Sequence, residues 1–136
     1  MSATPVMRFS GVVLWKEDLV LLQKRSFQAK LLPGRWGVFG GHIEDGESPI
    51  QTAVREIEEE LSVSLDPNQL RELCTLRVQR MNALYVTHYY SSRIPVSLKD
   101  MSLREGIGFS LWSMDEIPQL HLAHEDFTAV QTYFGS

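Results

Sequence analysis

Three glutamates, Glu56, Glu59 and Glu60, stand close together in the segment REIEEE that begins at Arg55. On a helix, residues three and four positions apart lie on the same side, so these carboxylates would project within an arc of about 100°. Like charges at that spacing repel by about 0.2–0.5 kcal/mol per pair. A hard divalent cation that prefers oxygen ligands would turn this repulsion into binding. The pattern therefore suits a Mg²⁺ or Mn²⁺ site, although a glutamate-rich helix taken alone is more often a solvated acidic face.

Two features of the surrounding sequence count against a plain solvated face. A glycine-rich loop precedes them, and Gly40, Gly41 and Gly46 allow the backbone to approach a ligand closely. Arg55 interrupts the acidic run beside Glu59, where its side chain can hold the orientation of a carboxylate.

The acidic segment is predicted to be helical from about residue 49 to residue 61. Ser48 suits the N-cap, Pro49 the first helical position, and Gln51 completes a Ser-x-x-Gln capping box. Apolar residues recur at helical spacing and form one face, namely Ile50, Ala53, Val54, Ile57 and Leu61. This face is expected to hold the helix against the core, with the three carboxylates on the opposite side.

Strands dominate the rest of the chain. Alternating and apolar runs predict strands at about residues 8–15, 19–25, 71–79, 83–94 and 107–114, with a short strand-like segment at 36–39. A capping box from Ser113 to Glu116 predicts a short helix that Pro118 limits, and residues 124–134 are predicted to form a closing helix. We therefore predict an α/β fold in which helices pack on a mixed sheet.

Composition limits the functional classes. The 136 residues fit a single domain, and a hydrophobic fraction of 43% is enough for a core. The net charge of −4 gives no support to general nucleic-acid binding. The single cysteine, Cys74, excludes an intramolecular disulfide framework. With no apolar run of about 18 residues and no signal-like N-terminus, we expect a cytoplasmic protein that does not enter a membrane.

The glycine loop and the acidic helix together resemble the Nudix box, G-x5-E-x7-R-E-U-x-E-E-x-G-U, where U is a bulky aliphatic residue. The box is filled at the right spacing by Gly41, Glu47, Arg55-Glu56-Ile57, Glu59-Glu60 and Val63, and every charged position is present. The segments LLQKRS, W-x-x-x-GG and EGIGFSLWSMDEIPQL also follow the usual order of the Nudix family. The resemblance covers nearly the whole chain and implies one Nudix domain over residues 1–136, an α/β/α sandwich.

The resemblance also implies a chemistry, the metal-dependent attack of water on a pyrophosphate linkage. Glu56, Glu59 and Glu60 would be the ligands of Mg²⁺ or Mn²⁺, joined by the carbonyl of Gly40. Glu47 and Arg55 would form a salt bridge that braces the loop against the helix.

One position of the box departs from the pattern, since Ser62 replaces its last glycine. A non-glycine residue in the left-handed conformation costs on the order of 1 kcal/mol. This predicts a small loss of stability or a different helix ending, with catalysis retained.

Further residues are candidates with open alternatives. Glu105 is a candidate additional metal ligand or base, or else a solvated loop carboxylate. Arg25 and the backbone of Gly41 are candidate phosphate contacts, although Arg25 is also compatible with a plain surface role. Several aromatic residues are candidates for stacking a nucleobase, although strand aromatics are more often core residues; these are Trp36, Phe39, Tyr85, Tyr89 and Tyr90.

Within the family the sequence favours a nucleoside triphosphate pyrophosphohydrolase, because the chain is barely larger than the minimal domain. Hydrolysis of a nucleotide sugar or of ADP-ribose stays open. A different class, a non-catalytic Nudix-like nucleotide-binding or regulatory module, would be expected to lose box glutamates, and this chain keeps them. The expected partner is a small nucleotide or another nucleoside diphosphate derivative, and a homodimer is compatible with the sequence.

Overall fold

The computed structural model describes residues 4–30, 32–104 and 106–136. Its strands and α-helices are, in chain order, β1 (Val6–Lys16), β2 (Leu19–Lys24), β3 (Trp36–Gly37), β4 (Phe39–His42), α1 (Pro49–Leu61), β5 (Arg71–Arg80), β6 (Ala83–Arg93), β7 (Gly108–Trp112) and α2 (His124–Gly135). Short 3₁₀-helices span Pro67–Gln69, Leu98–Asp100 and Ile117–Leu120. Within the described ranges, no helix has the length and apolar character needed to span a bilayer.

Strand β1 organises the sheet. It pairs in parallel with β6, from Val6 opposite Leu84 to Trp15 opposite Arg93, and antiparallel with both β2 and β4. Strand β5 extends the sheet as the hairpin partner of β6, and β2 also carries β3 and β7. The parallel β1–β6 pair among antiparallel neighbours makes the sheet mixed, as predicted from the sequence.

The sheet buries both of its faces because side chains alternate along β1. Val12 and Leu14 point into the core under α1, whereas Val13 points into the core under α2. The hydroxyl of Ser10 donates to the carbonyl oxygen of Pro49 at 2.6 Å and so fixes the start of α1 on β1. These two apolar layers confirm the predicted α/β/α sandwich.

Helix α1 begins and ends where the sequence predicted. The Ser48 hydroxyl accepts from the backbone N–H of Gln51 at 3.1 Å, and the Gln51 side chain accepts from the N–H of Ser48 at 2.8 Å. At the other end Ser62 is left-handed, with φ 56° and ψ 37°. The expected left-handed ending is therefore kept without a glycine.

The helix that follows β7 differs from the prediction. It is a 3₁₀-helix over Ile117–Leu120, and Pro118 lies in its first turn instead of limiting it. A proline suits the first turn because its fixed φ is helical and its missing N–H is not needed there. The predicted side-chain contact remains, since the Glu116 carboxylate accepts from the backbone N–H and the hydroxyl of Ser113 at 2.9 and 3.0 Å.

Candidate active site

Two glycines of β4 bring backbone and carboxylate together. A Cβ on Gly40 would lie 2.1 Å from the carbonyl oxygen of Ser10, so only glycine fits beside β1. A Cβ on Gly41 would lie 2.3 Å from the carboxyl carbon of Glu56. The missing side chain thus lets the Glu56 carboxylate rest directly on the backbone of β4, which is the close approach expected of the glycine loop.

Arg55 is the centre of the charged network. Its Nε and Nη2 donate to the two carboxylate oxygens of Glu47 at 2.7 and 2.9 Å, a bidentate pair. Its Nη1 donates to Glu56 at 2.9 Å and to Glu59 at 3.2 Å, and Nη2 also donates to the carbonyl of His42 at 3.1 Å. The ion pair implied by the resemblance is therefore present, and it ties the loop to α1.

Glu47 is held in its ionised form by this network. Besides Arg55, its Oε1 accepts from the Thr52 hydroxyl at 2.7 Å and from the backbone N–H of Glu44 at 3.0 Å. Hydrogen bonding to Arg55, with a smaller effect of Thr52, lowers the pKa of Glu47 from 4.5 to about 2. The same contacts raise the pKa of Arg55, so both charges persist at neutral pH.

The depressed pKa of Glu47 gives a prediction for stability against pH. Because the pKa is about 2 in the folded protein and 4.5 ordinarily, the stabilising contribution of the carboxylate is complete above about pH 4.5 and is lost as the pH falls toward 2. Urea unfolding of wild type and Glu47→Gln should therefore differ by a constant free energy from pH 5 to 7, with the difference shrinking below about pH 4.5. A difference independent of pH down to pH 3 would contradict the assignment.

The three box glutamates differ in environment. The side chain of Glu59 is 57% exposed and the side chain of Glu56 is 15% exposed. Glu60 is buried, with 8% of the whole residue exposed. The sequence placed all three opposite the apolar face, but Glu60 lies at the border of the buried face. Glu58 points elsewhere and accepts from the Ser64 hydroxyl at 3.1 Å.

The box carboxylates are suitable ligands for a divalent ion, although they are not gathered around one point. Within the described residues, no group of three carboxylate, histidine or cysteine side chains converges closely enough to hold an ion as it stands. The Nη1 of Arg55 contacts both Glu56 and Glu59, so an ion binding there would compete with this guanidinium. Chemically the set fits Mg²⁺ or Mn²⁺, because it offers carboxylate oxygens on a rigid helix beside a glycine backbone.

A cavity of about 400 Å³ adjoins Gly40 and Gly41 on the α2 side of the sheet. One wall is apolar and aromatic, and there Phe9 and Tyr85 stack with ring centroids 6.1 Å apart and planes 10° apart. The start of α2 also lines the cavity, and there Glu125 pairs with Arg80 at 2.7 Å. Of the aromatic candidates from the sequence, three line this cavity: Phe39, Tyr85 and Tyr89.

Asp126 is a site residue that the sequence did not reveal. Its two carboxylate oxygens accept from the Tyr89 hydroxyl at 2.7 Å and from the backbone N–H of Val38 at 3.2 Å, at the side of the cavity. Burial raises the pKa of Asp126. In the sequence Asp126 looks like an ordinary acidic residue in the first turn of a helix, and no spacing pattern pointed to it.

Arg25 connects the cavity with the acidic helix. It lines this cavity and also a second, polar one of about 260 Å³ that Glu60 lines. The residue predicted to contact phosphate therefore lies between the aromatic cavity and the box glutamates. Glu105 falls outside the described residues.

Three solved structures illustrate the likeness in fold. A MutT NUDIX hydrolase from Burkholderia pseudomallei is 22% identical, with a TM-score of 0.79 over 93% of this chain and 96% of the other. The Escherichia coli dihydroneopterin triphosphate pyrophosphohydrolase is 17% identical, with a TM-score of 0.76 over 96% and 97%. The NUDIX domain of Shewanella oneidensis NrtR, solved with ADP ribose, is 20% identical, with a TM-score of 0.73 over 98% and 88%.

Comparison with curated protein sequences gives no match. The family model of the NUDIX domain, however, matches residues 6–130 and so covers most of the chain, including the glycine loop, the acidic helix and the first turns of α2. With the box residues on one loop and one helix of this fold, the chain belongs to the Nudix family.

Proposed function

We propose that this protein is a nucleoside triphosphate pyrophosphohydrolase that uses Mg²⁺ or Mn²⁺ and releases a nucleoside monophosphate and pyrophosphate. The observation that carries the proposal is the continuity of the site. Gly41 touches the Glu56 carboxylate and also lines the aromatic cavity, so a nucleotide with its base in the cavity would bring its phosphates to the acidic helix.

Glu56, Glu59 and Glu60, with the Gly40 carbonyl, are the proposed ligands of the divalent ion. When bound, such an ion neutralises charge on phosphate oxygens and lowers the pKa of a coordinated water.

Other residues of the chain position the reacting groups. Arg25, between the two cavities, would pair with phosphate oxygens, and the Gly41 backbone leaves room for them. The bidentate Glu47–Arg55 pair would keep the loop at a fixed distance from α1. Such positioning supplies much of the catalysis in phosphoryl chemistry, which needs little covalent participation from the protein.

The nucleoside end would occupy the aromatic cavity. A volume of about 400 Å³ suits a base and its sugar. The Phe9–Tyr85 pair offers an apolar surface, and the part-buried Asp126 offers a carboxylate that can accept from N–H groups of a base. We further propose that residues 1–136 act as one domain in the cytoplasm on a small nucleotide ligand, which the net charge of −4 supports over nucleic acid.

A second candidate is the hydrolysis of ADP-ribose or of a nucleotide sugar. The polar cavity beside Glu60, lined also by Gln23, Ser26 and Gln28, gives room for a sugar beyond the phosphates. The Shewanella oneidensis neighbour with ADP ribose has the same fold at 20% identity. A non-catalytic binding module has less support, because the chain retains Glu56, Glu59 and Glu60.

The substrate class can be tested by using chromatography to compare the rates at which each compound is converted to its nucleotide product. The protein with Mg²⁺ or Mn²⁺ is incubated with nucleoside triphosphates, ADP-ribose, nucleotide sugars and dinucleoside polyphosphates. We expect one of the nucleoside triphosphates to have the highest kcat/KM of these compounds. A higher value for ADP-ribose or a nucleotide sugar would replace this proposal with the second candidate.

Asp126→Asn is expected to change which base is preferred while turnover continues. The amide presents an N–H donor where the carboxylate only accepts, so kcat/KM for different nucleoside triphosphates should change by about tenfold relative to one another. Steady-state kinetics on four triphosphates would measure this, with Asp115→Asn, an exposed acidic residue after β7, as the matched control. Equal losses for all four bases would place Asp126 outside base recognition.

A further inference from the structure

The end of α1 carries a side chain where the box expects none. Ser62 has φ 56°, a conformation that glycine adopts without penalty and serine does not. Its hydroxyl oxygen accepts from the Nε and Nη2 of Arg104 at 3.1 and 2.7 Å, across 42 positions of sequence. The serine therefore makes a specific contact that a glycine could not make.

The segment around Arg104 is tied to the same helix end by its backbone. The N–H of Ser102 donates to the carbonyl of Leu61 at 3.1 Å, and the N–H of Arg104 donates to the carbonyl of Glu60 at 2.9 Å. These are carbonyls of the last helical turn, which have no partner within the helix. Met101, 8% exposed, packs in the core beneath α1 and anchors the segment from below.

On its far side the segment reaches the end of β2. The N–H of Ile107 donates to the carbonyl of Lys24 at 2.9 Å, and a Cβ on Gly106 would lie 2.9 Å from that same oxygen. Lys24 directly precedes Arg25. Arg104 therefore contacts the turn that carries Glu60, and Ile107 contacts the strand end next to Arg25; both Glu60 and Arg25 have proposed roles in binding.

We infer that Ser62 and Arg104 form a clasp that positions Glu60 for metal binding. The clasp is defined as the contact of the Ser62 hydroxyl with the Arg104 guanidinium, together with the Arg104 N–H on the Glu60 carbonyl. Both are positioning residues, since neither is assigned a contact with metal or substrate. The inference rests on the proposed function, because it assumes that Glu60 binds a divalent ion.

The physical reason lies in where Glu60 sits. It belongs to the last turn of α1, and helix ends fray unless their carbonyls are bound. Its side chain is largely buried, so a shift of the backbone would move the carboxylate relative to Glu56 and Glu59. Partners that orient a metal ligand typically change metal affinity by about 10- to 100-fold when they are removed.

Ser62→Gly separates positioning from stability. Glycine suits the left-handed conformation at residue 62, so the Tm should not fall, whereas loss of the contact between the hydroxyl and the guanidinium should weaken Mn²⁺ binding by about tenfold. Binding is measured from the electron paramagnetic resonance signal of free Mn²⁺. Ser64→Ala is the matched control, because it removes a hydroxyl that contacts Glu58 at the same helix end and should leave Mn²⁺ binding unchanged.

Arg104→Gln and the double variant complete the test. If the two side chains act as a unit, Arg104→Gln, Ser62→Gly and their combination should weaken Mn²⁺ binding to a similar extent. In steady-state kinetics the variants should lower kcat at limiting Mn²⁺, recover at saturating Mn²⁺, and keep KM for nucleotide.

Wild-type Mn²⁺ affinity in Ser62→Gly would overturn the clasp even if the enzyme turns over nucleotides. Absence of turnover by wild type, with Mn²⁺ binding weakened in the variants, would overturn the proposed function and keep the clasp.

Discussion

Glu59→Gln is expected to reduce kcat by at least about a hundredfold while the protein stays folded. The Glu59 side chain is 57% exposed, so its replacement does not disturb the core. A loss of kcat would therefore report on the chemical step. The amide keeps the size of the side chain but removes the negative charge that the proposed divalent ion requires. Circular dichroism and steady-state hydrolysis of the best nucleotide would measure fold and rate.

Glu58→Gln provides the matched control for this experiment. Glu58 is the neighbouring residue, is exposed, and contacts Ser64 on another side of the helix. Its change should leave kcat within about twofold of wild type. Similar rates for both variants would show that the metal has been placed on the wrong face of α1.

Arg55→Ala is expected to damage both stability and rate. The guanidinium makes a bidentate pair with Glu47 and donates to Glu56 and Glu59, with only 23% of the side chain exposed. Its removal leaves clustered carboxylates facing one another, which should lower the free energy of unfolding by about 2 kcal/mol. Because the loop is no longer braced, kcat should also fall by at least about tenfold.

One further variant shows which property of Arg55 matters, and a second serves as the control. Arg55→Lys keeps the positive charge but loses the planar fork, so it should recover part of the stability and little of the rate. Arg93→Ala, at the exposed end of β6, removes an arginine remote from the box and should change neither. Urea unfolding gives the stability. An Arg55→Ala variant as stable as wild type would contradict the central place of this side chain.

Much of the fold could be predicted because local signals agreed with one another. In α1 the capping residues Ser48, Pro49 and Gln51 and the apolar spacing all pointed to the same bounds, and the structure has them. The β5–β6 hairpin was likewise marked by its polar turn. The mixed character of the sheet was predicted, but the β1–β6 parallel pairing that produces it depends on contacts about 80 residues apart, which no local pattern encodes.

The candidate site, like the fold, could be predicted only in part from the sequence. The Nudix box predicted Glu47, Arg55 and the three glutamates as site residues. They lie together because they follow one another along a single loop and a single helix. Asp126 could be identified only from the structure, because the residues that it contacts, Tyr89 and Val38, are distant from it in the sequence. The burial of Glu60 was also missed, because the 3.6-residue period puts it at the edge between the polar and the apolar face.

The most direct test of the account is phosphorus NMR of nucleoside triphosphates incubated with the protein and Mg²⁺ or Mn²⁺. We expect at least one triphosphate to be converted to nucleoside monophosphate and pyrophosphate. Conversion should stop when EDTA removes the metal, and it should be nearly absent with Glu59→Gln. If the protein binds Mn²⁺ but cleaves no triphosphate, nucleotide sugar, ADP-ribose or dinucleoside polyphosphate, the claim of metal-dependent hydrolysis is contradicted.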